Sequence, residues 1–333
     1  MLLLGIETSC DDTATAVVRD GRTALSNVST NQDAFHAKYG GIVPEIASRQ
    51  HVALLSAAVE DALARAETSL ERIDGIAVTA GPGLIGSLVA GVACAKALAF
   101  ASGKPLYAIN HLHGHIFAAF LEQDVEPDYP FLTLLVSGGH SQIVYVASPT
   151  QLRVIARTRD DAAGEAFDKT ARLLDLPFPG GPEIDRLARE GDPAAYRFPR
   201  HRDPAVLDLS FSGLKTSVRY FLATPEGAAA KRADVAASFQ AAVVDVLIDR
   251  IARAAQRHGV RTAVLSGGVA ANSALQTAFR SWGERARIRT LVPHLRYCTD
   301  NAAMIAAAAE RQGSVRIVDP LTLVADPNLP FST

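Results

Sequence analysis

The chain carries the same arrangement twice: an apolar strand, a short polar or glycine-rich turn, and a second apolar strand. Residues 2–6 read as a strand, Glu7-Thr8-Ser9-Cys10-Asp11-Asp12 as the turn, and residues 13–18 as the second strand. Residues 131–136, Ser137-Gly138-Gly139-His140 and 141–146 repeat that order. Short apolar runs bounded by turn residues suit buried strands. Helical patterns alternate with them. One follows Pro44 through Ile46, Val52, Leu55, Val59 and Leu63, with the proline at a first-turn position. Residues 74–80 form another strand, and Gly81-Pro82-Gly83 opens an apolar helix that ends near Gly103. A third glycine turn, Ser266-Gly267-Gly268-Val269-Ala270, follows the strand 262–265 and precedes a helix over 272–281. The intervening stretch is rich in helices, the longest from about Lys231 to His258. Such alternation implies an α/β fold built from two duplicated lobes. The boundaries predicted are 1–108, completed by 300–333, for the first lobe, 131–299 for the second, and 109–130 for an inserted helix and linker.

The insert holds the pattern with the most chemistry. In Asn110-His111-Leu112-His113-Gly114-His115, His111 and His115 stand four apart at the head of an apolar run. On a helix that spacing puts both imidazoles on one face, one turn apart, where they can share a metal ion. His113 points elsewhere. The order resembles the peptidase signature His-Glu-x-x-His, but Leu112 stands where the water-activating Glu would be. Two histidines need a third ligand, and Asp300 is the candidate, just before the helical run from Asn301 to Ala309. The competing reading of Asp300 is a helix cap.

Composition narrows the classes. Of 333 residues, 48% are hydrophobic, enough for a sizeable core. Residues 84–100 contain Gly86, Gly91, Cys94 and Lys96 and fit a buried helix better than a membrane span. Residues 1–6 are not read as a signal peptide, and the cysteine usage makes a reducing cytoplasm the expectation. Three scattered cysteines imply neither a zinc finger nor a disulfide framework. A net charge of -2 argues against a generic nucleic-acid coat protein and leaves room for local basic patches. Two are visible: Arg197, Arg200, His201 and Arg202, and Arg280, Arg285, Arg287 and Arg289.

Gly138 and Gly139 let main-chain amides approach phosphate oxygens with no Cβ in the way. Gly267 and Gly268, at a helix entrance, can do the same for a nucleoside. The plain alternative is that each pair is only a turn.

Longer motifs then point one way. They are Gly5-Ile6-Glu7-Thr8-Ser9-Cys10-Asp11, Tyr39-Gly40-Gly41-Ile42-Val43-Pro44-Glu45, Thr79-Ala80-Gly81-Pro82-Gly83-Leu84, and His111 with Gly114-His115. Leu135-Val136-Ser137-Gly138-Gly139-His140, Asp161 to Lys169, Phe211-Ser212-Gly213-Leu214-Lys215-Thr216 and Cys298-Thr299-Asp300-Asn301 follow in order. From about residue 3 to about residue 320 the chain resembles the bacterial tRNA threonylcarbamoyladenosine transferase family (TsaD), once mislabelled as O-sialoglycoprotein endopeptidases.

That resemblance implies a two-lobed actin/hexokinase-like (ASKHA) ATPase-type fold with an adenylate or ATP/Mg in its cleft. The implied reaction moves a threonylcarbamoyl group from threonylcarbamoyl-AMP to N6 of the adenosine 3′ of the anticodon, in tRNAs reading codons that begin with adenine. By resemblance His111, His115 and Asp300 hold the metal, Fe(2+) or zinc. Leu135, Val136, Ser137, Gly138 and Gly139, with Asp168, Gly181, Asp185 and Asn272, hold the adenylate. The implied partners are tRNA, a TsaB-like inactive paralogue, a TsaE-like small ATPase and a TsaC-like synthase that supplies the donor, with no membrane. The amine attacked must lose a proton, and Asp11 in the first turn is the candidate base.

Two departures stand out. Asp12 occupies a position where many relatives carry Glu, and Val324 to Pro330 replaces an Arg-Pro-Arg-Trp-Pro-type segment. The rival readings are a zinc endopeptidase and a non-catalytic nucleotide-binding scaffold. Leu112 weighs against the first, and the joint presence of the histidine–aspartate set and the glycine turns weighs against the second.

Overall fold

A computed structural model describes residues 1–36, 39, 41–200 and 206–331. Gly40, His201 and Arg202 therefore lie outside the described residues. The chain forms two compact units. Unit 1 comprises Met1–Pro127, Ser148–Leu152 and Pro293–Thr333; unit 2 comprises Asp128–Ala147 and Arg153–Val292.

Unit 1 opens with β1 (Leu2–Glu7), β2 (Thr13–Arg19) and β3 (Thr23–Thr30), a meander of antiparallel pairs. A single turn, α1 (Asp33–His36), leads to α2 (Pro44–Arg65), which starts with proline as its sequence requires. Then come β4 (Gly75–Gly81), α3 (Ile85–Ser102), β5 (Leu106–Asn110) and α4 (His111–Ala118). Strands β1, β4 and β5 run parallel, so their carboxyl ends emerge along one edge of the sheet. Binding residues gather at such edges in α/β proteins. Among the described residues, α3 alone is long and apolar enough to cross a membrane. Its Leu88, Val92, Ala95 and Ala99 are packed in the same core as Leu4, Ile6, Val78 and Leu106.

Unit 2 repeats the hairpin as β6 (Phe131–Val136) and β7 (Ser141–Ser148), extended by β8 (Gln151–Arg157). Helices α5 (Ala163–Leu173), α6 (Gly180–Ala188), α7 (Ser212–Leu222), α8 (Pro225–Ala228) and α9 (Arg232–His258) follow. The strand β9 (Thr262–Ser266), α10 (Ser273–Ala286) and β10 (Arg289–Leu291) complete a sheet of order β10-β9-β6-β7-β8. The chain then returns to unit 1 with α11 (Ala302–Gln312) and β11 (Ile317–Val318), the strand beside β5 in the order β11-β5-β4-β1-β2-β3. Strands β3, β5, β8, β10 and β11 go beyond the sequence reading. All but β5 are edge strands, short or half-exposed, and lack the continuous apolar run that marks a buried strand.

Helix α11 is packed deep in unit 1. Every residue from 302 to 309 is buried, most of them alanine, and the helix packs on β1, β2 and α4. Two glycines permit that approach. A Cβ at Gly5 would overlap the Ala302 carbonyl, and one at Gly114 would lie 2.7 Å from Ile305 Cδ1 and 3.0 Å from Met304 Cγ. Backbone has no rotamer with which to yield. The variant Gly5→Val is expected to cost about 3 kcal/mol and to lower Tm by about 5 °C or more. Differential scanning calorimetry checks this; an unchanged Tm would show that α11 can shift freely.

Candidate functional site

Helix α4 starts directly from the end of β5. Asn110 caps it, its side chain accepting from the Leu112 amide at 2.9 Å. His111 is thus fixed at the carboxyl edge of the parallel strands, and His115 follows one turn later with ring centroids 4.7 Å apart. Asp300 approaches from the start of α11: its Oδ1 lies 3.5 Å from His111 Nε2 and 3.2 Å from His115 Nε2. Asp300 does not cap α11. Asn301 does, accepting from the Met304 amide at 3.0 Å. One ligand atom from each of His111, His115 and Asp300 falls within 4.8 Å of the others. Both ring nitrogens of His115 are buried without a hydrogen-bond partner. Orphaned imidazole nitrogens facing a carboxylate suit an ion held at about 2.1 Å from each donor.

Sequence reasoning did not single out what lies behind His111. Its Nδ1 sits 2.9 Å from Glu7 Oε2 and 3.0 Å from Ser9 Oγ. Glu7, at the last position of β1, is fully buried and also accepts from the Ser9 amide and from Thr79 Oγ1 at 2.5 Å. Burial alone would depress the His111 imidazole, but the carboxylates of Glu7 and Asp300 outweigh it and raise it to about 9. Burial opposes ionisation of Glu7, yet the His111 charge holds its carboxyl below the usual range. The signal in the sequence was a glutamate ending an apolar strand.

Asp11 lies half-buried in the turn between β1 and β2. Its neighbour Cys10 stays a thiol, pushed far up by burial and then by the carboxylates of Asp11, Asp300 and Glu7. The Cys10 carbonyl takes a 3.0 Å contact from His51 Nε2. His113 has a different task. Its Nε2 lies 2.8 Å from the Phe331 carbonyl and its Nδ1 3.0 Å from Gln312 Nε2, with the Phe331 ring packed edge-on.

Unit 2 arranges the glycine turn over a helix start. Leu135 and Val136 are buried in β6, so only their main chain can reach a ligand. Ser137 Oγ accepts from the His140 amide, and the Ser137 and Gly138 carbonyls accept from Gly164 and Glu165 at the head of α5. A Cβ at Gly164 would press on Gly138 at 2.7 Å. Nothing lies within 4 Å of where a side chain would start at Gly138 or Gly139. No described residue accepts from their amides.

The other predicted residues divide. Asp168 Oδ1 accepts from the Gly180 amide at 2.8 Å, and burial raises its carboxyl against the pull of the Gly180 and Gly181 amides. Gly181 is half-exposed with open space before it. Asp185 is occupied by Ser273 at 2.8 Å and Arg189 at 3.0 Å. Asn272 caps α10 through Leu275 and donates to Gln240 Oε1 at 2.7 Å. Both thus brace the start of α10. Asp161 binds Lys169 and Lys215 at 3.0 and 2.8 Å. Of the basic patches, Arg200 is bound to Asp245 at 2.6 Å, whereas Arg197 is exposed beside a cavity of about 820 Å³ lined by Tyr196, Tyr220 and Phe221. Arg280, Arg285, Arg287 and Arg289 are all exposed around the end of α10.

The two sheets and their helices define an α/β protein of the actin/hexokinase-like class. The structure is similar to that of HypF from T. kodakarensis, with a TM-score of 0.64 and 14% identity, covering 96% of this chain and 48% of that one. A phosphate- and nucleotide-bound full-length HypF gives 0.61 at 12% identity, over 94% and 46%. At such identities the likeness speaks for the fold alone. Family membership comes from sequence. Residues 23–307 match the family model described as TsaD, tRNA N6-adenosine threonylcarbamoyltransferase. Proteins of that name are 50% identical over 333 residues in Moorella thermoacetica, covering 99% of this chain and 97% of theirs, and 50% identical over 329 residues in Symbiobacterium thermophilum, covering 98% and 96%. The chain belongs to the tRNA N6-adenosine threonylcarbamoyltransferase family, a family of tRNA-modifying transferases.

Burial, aided by the Arg316 charge, depresses the His113 imidazole from 6.5 to about 4. A folded-state value below the unfolded one contributes stability that is present above about pH 6.5 and is lost as pH falls towards 4. The expected loss across that window is about 3 kcal/mol. A His113→Gln variant should show a flatter decline in urea-melt stability between pH 7 and 4; parallel declines would refute the assignment.

Proposed function

We propose that this chain transfers the threonylcarbamoyl group from threonylcarbamoyl-AMP to N6 of the adenosine 3′ of the anticodon, in tRNAs reading codons that begin with adenine. The family match over residues 23–307 carries the reading, and the convergence of His111, His115 and Asp300 supports a metal centre. Fe(2+) and zinc both suit two imidazoles and a carboxylate. The ion, when bound, supplies a Lewis acid to an oxygen of the threonylcarbamoyl group.

The residues divide the remaining work. In unit 2 the free amides of Gly138 and Gly139 are suited to the adenylate phosphate, which must leave with its charge stabilised. Asp168 and Gly181 flank the start of α6 and suit the nucleoside. Asp185 and Asn272 act through α10, which they hold in place. In unit 1 Asp11 is the proposed base. The N6 lone pair forms the new C–N bond at the carbamoyl carbon, the C–O bond to phosphate breaks, AMP departs, and Asp11 takes the N6 proton.

Family membership supports tRNA as a partner; the reading adds a TsaB-like paralogue, a TsaE-like ATPase and a TsaC-like synthase, all in the cytoplasm. An apolar groove of about 800 Å³ between α2 and α3, lined by Val52, Val89, Ala93 and Leu98, supports a contact with the paralogue. Val52 and Val89 are 73% and 51% exposed, much for aliphatic side chains.

Nucleoside analysis of tRNA from depleted cells tests the reaction. Threonylcarbamoyladenosine should fall, and wild type should restore it while His111→Ala and Asp300→Ala, both expected to lose bound metal, should not. Unchanged levels on depletion would sink the reading. The glycine turn is tested separately with Gly139→Val. Its side chain meets nothing in the protein, so the fold should hold, while AMP affinity by calorimetry should fall about tenfold or more. Undiminished affinity would show that the turn is not the phosphate site.

A further inference from the structure

We propose that Glu7 is a positioning residue for the metal centre: its carboxylate holds His111 with the proton on Nδ1 and leaves Nε2 free to coordinate. The proposal rests on the metal reading of His111, His115 and Asp300.

The carboxyl ends of three parallel strands assemble the contact. Glu7 ends β1, Thr79 lies near the end of β4, and His111 follows β5. Glu7 is 0% exposed. A carboxylate in such a place is tolerated only when its lone pairs are filled and its charge is answered. Three donors fill them: the Ser9 amide on Oε1, and Thr79 Oγ1 and His111 Nδ1 on Oε2. An ionised carboxylate only accepts, so the 2.9 Å contact requires the hydrogen to sit on Nδ1. Nε2, 3.5 Å from Asp300 Oδ1, is then the nitrogen left to give up its proton to an ion, on the side where His115 Nε2 also points.

The charge balance agrees. Among the described residues no lysine or arginine pairs with Glu7, and its one ionisable partner within salt-bridge distance is His111. Two carboxylates, Glu7 and Asp300, therefore face two imidazoles, an arrangement that a divalent cation neutralises. Outer-sphere carboxylates commonly orient metal-bound histidines in this manner. His115 has no counterpart, since its Nδ1 is buried and unpartnered. Orientation of the pair thus falls on His111.

The test uses the full chain, stripped of metal and titrated with Zn2+ against a chromophoric chelator, with ring tautomers read from 15N-histidine NMR of the zinc-free protein on the alkaline side of pH 9, where His111 is neutral. Glu7→Ala should weaken Zn2+ binding by about 10- to 100-fold and release His111 from the Nδ1–H form. Glu7→Asp keeps the charge but draws the carboxylate back, and should do the same if the alanine variant does not fold. Glu7→Gln retains an acceptor and should lie nearer wild type in both measurements. Signals of His115 should stay unchanged. Wild-type affinity and tautomer in a folded Glu7→Ala or Glu7→Asp protein would overturn the positioning role. A wild-type chain that takes up no Zn2+ would instead overturn the metal reading, and this proposal with it.

Discussion

Unit 1 depends on one close approach, the crossing of an alanine-rich helix over a strand that has no side chain at the crossing point. Gly5 lets α11 sit against β1, and Gly114 lets the same helix sit against α4. Asp300 is carried at the start of that helix, and the histidines are carried on α4. The distances among the three groups are therefore set by backbone packing rather than by flexible loops. Interiors are close-packed and yield little, so a site built this way is held in place by contacts that never touch it.

A second layer of order comes from the parallel strands. Because β1, β4 and β5 end together, a glutamate, a threonine and a histidine distant in sequence reach one another. Each is placed by the regular hydrogen bonding of a sheet, which leaves it little freedom. The buried polar cluster that results is fully connected on the Glu7 side and open on the His115 side. Buried networks hold a unique geometry when complete, and the open side is where a ligand would complete this one.

Much of this could be read before any coordinates. The duplicated hairpins, the helices after Pro44 and Gly83, and the long helix ending at His258 declare themselves through apolar period and through Pro and Gly at their ends. The edge strands do not, because a half-exposed strand loses its apolar run. In the site, the spacing of His111 and His115 is local information and is legible; the partnership of Glu7 is not, since it exists only after three strands pair. Asp185 and Asn272, which the family resemblance names as adenylate groups, also hold Ser273, Arg189, Gln240 and Leu275, contacts that no local sequence pattern announces. Asp300 and Asn301 show the opposite case, where adjacent residues able to cap a helix divide the work, one capping and one facing the histidines.

The order in which the chain is made gives the division into units a further meaning. Unit 1 is discontinuous: its sheet begins at Leu2, but α11, β11 and the segment that hydrogen-bonds Ala80, Gly83 and Asn110 come from Pro293–Thr333. Unit 2 lies almost wholly between. During synthesis the histidines leave the ribosome well before Asp300, and the inserted unit has its entire sheet available first. Domains tend to fold as they emerge. The nascent chain thus completes its middle while its first strands wait for α11, and the three-residue cluster cannot exist until Asp300 has emerged.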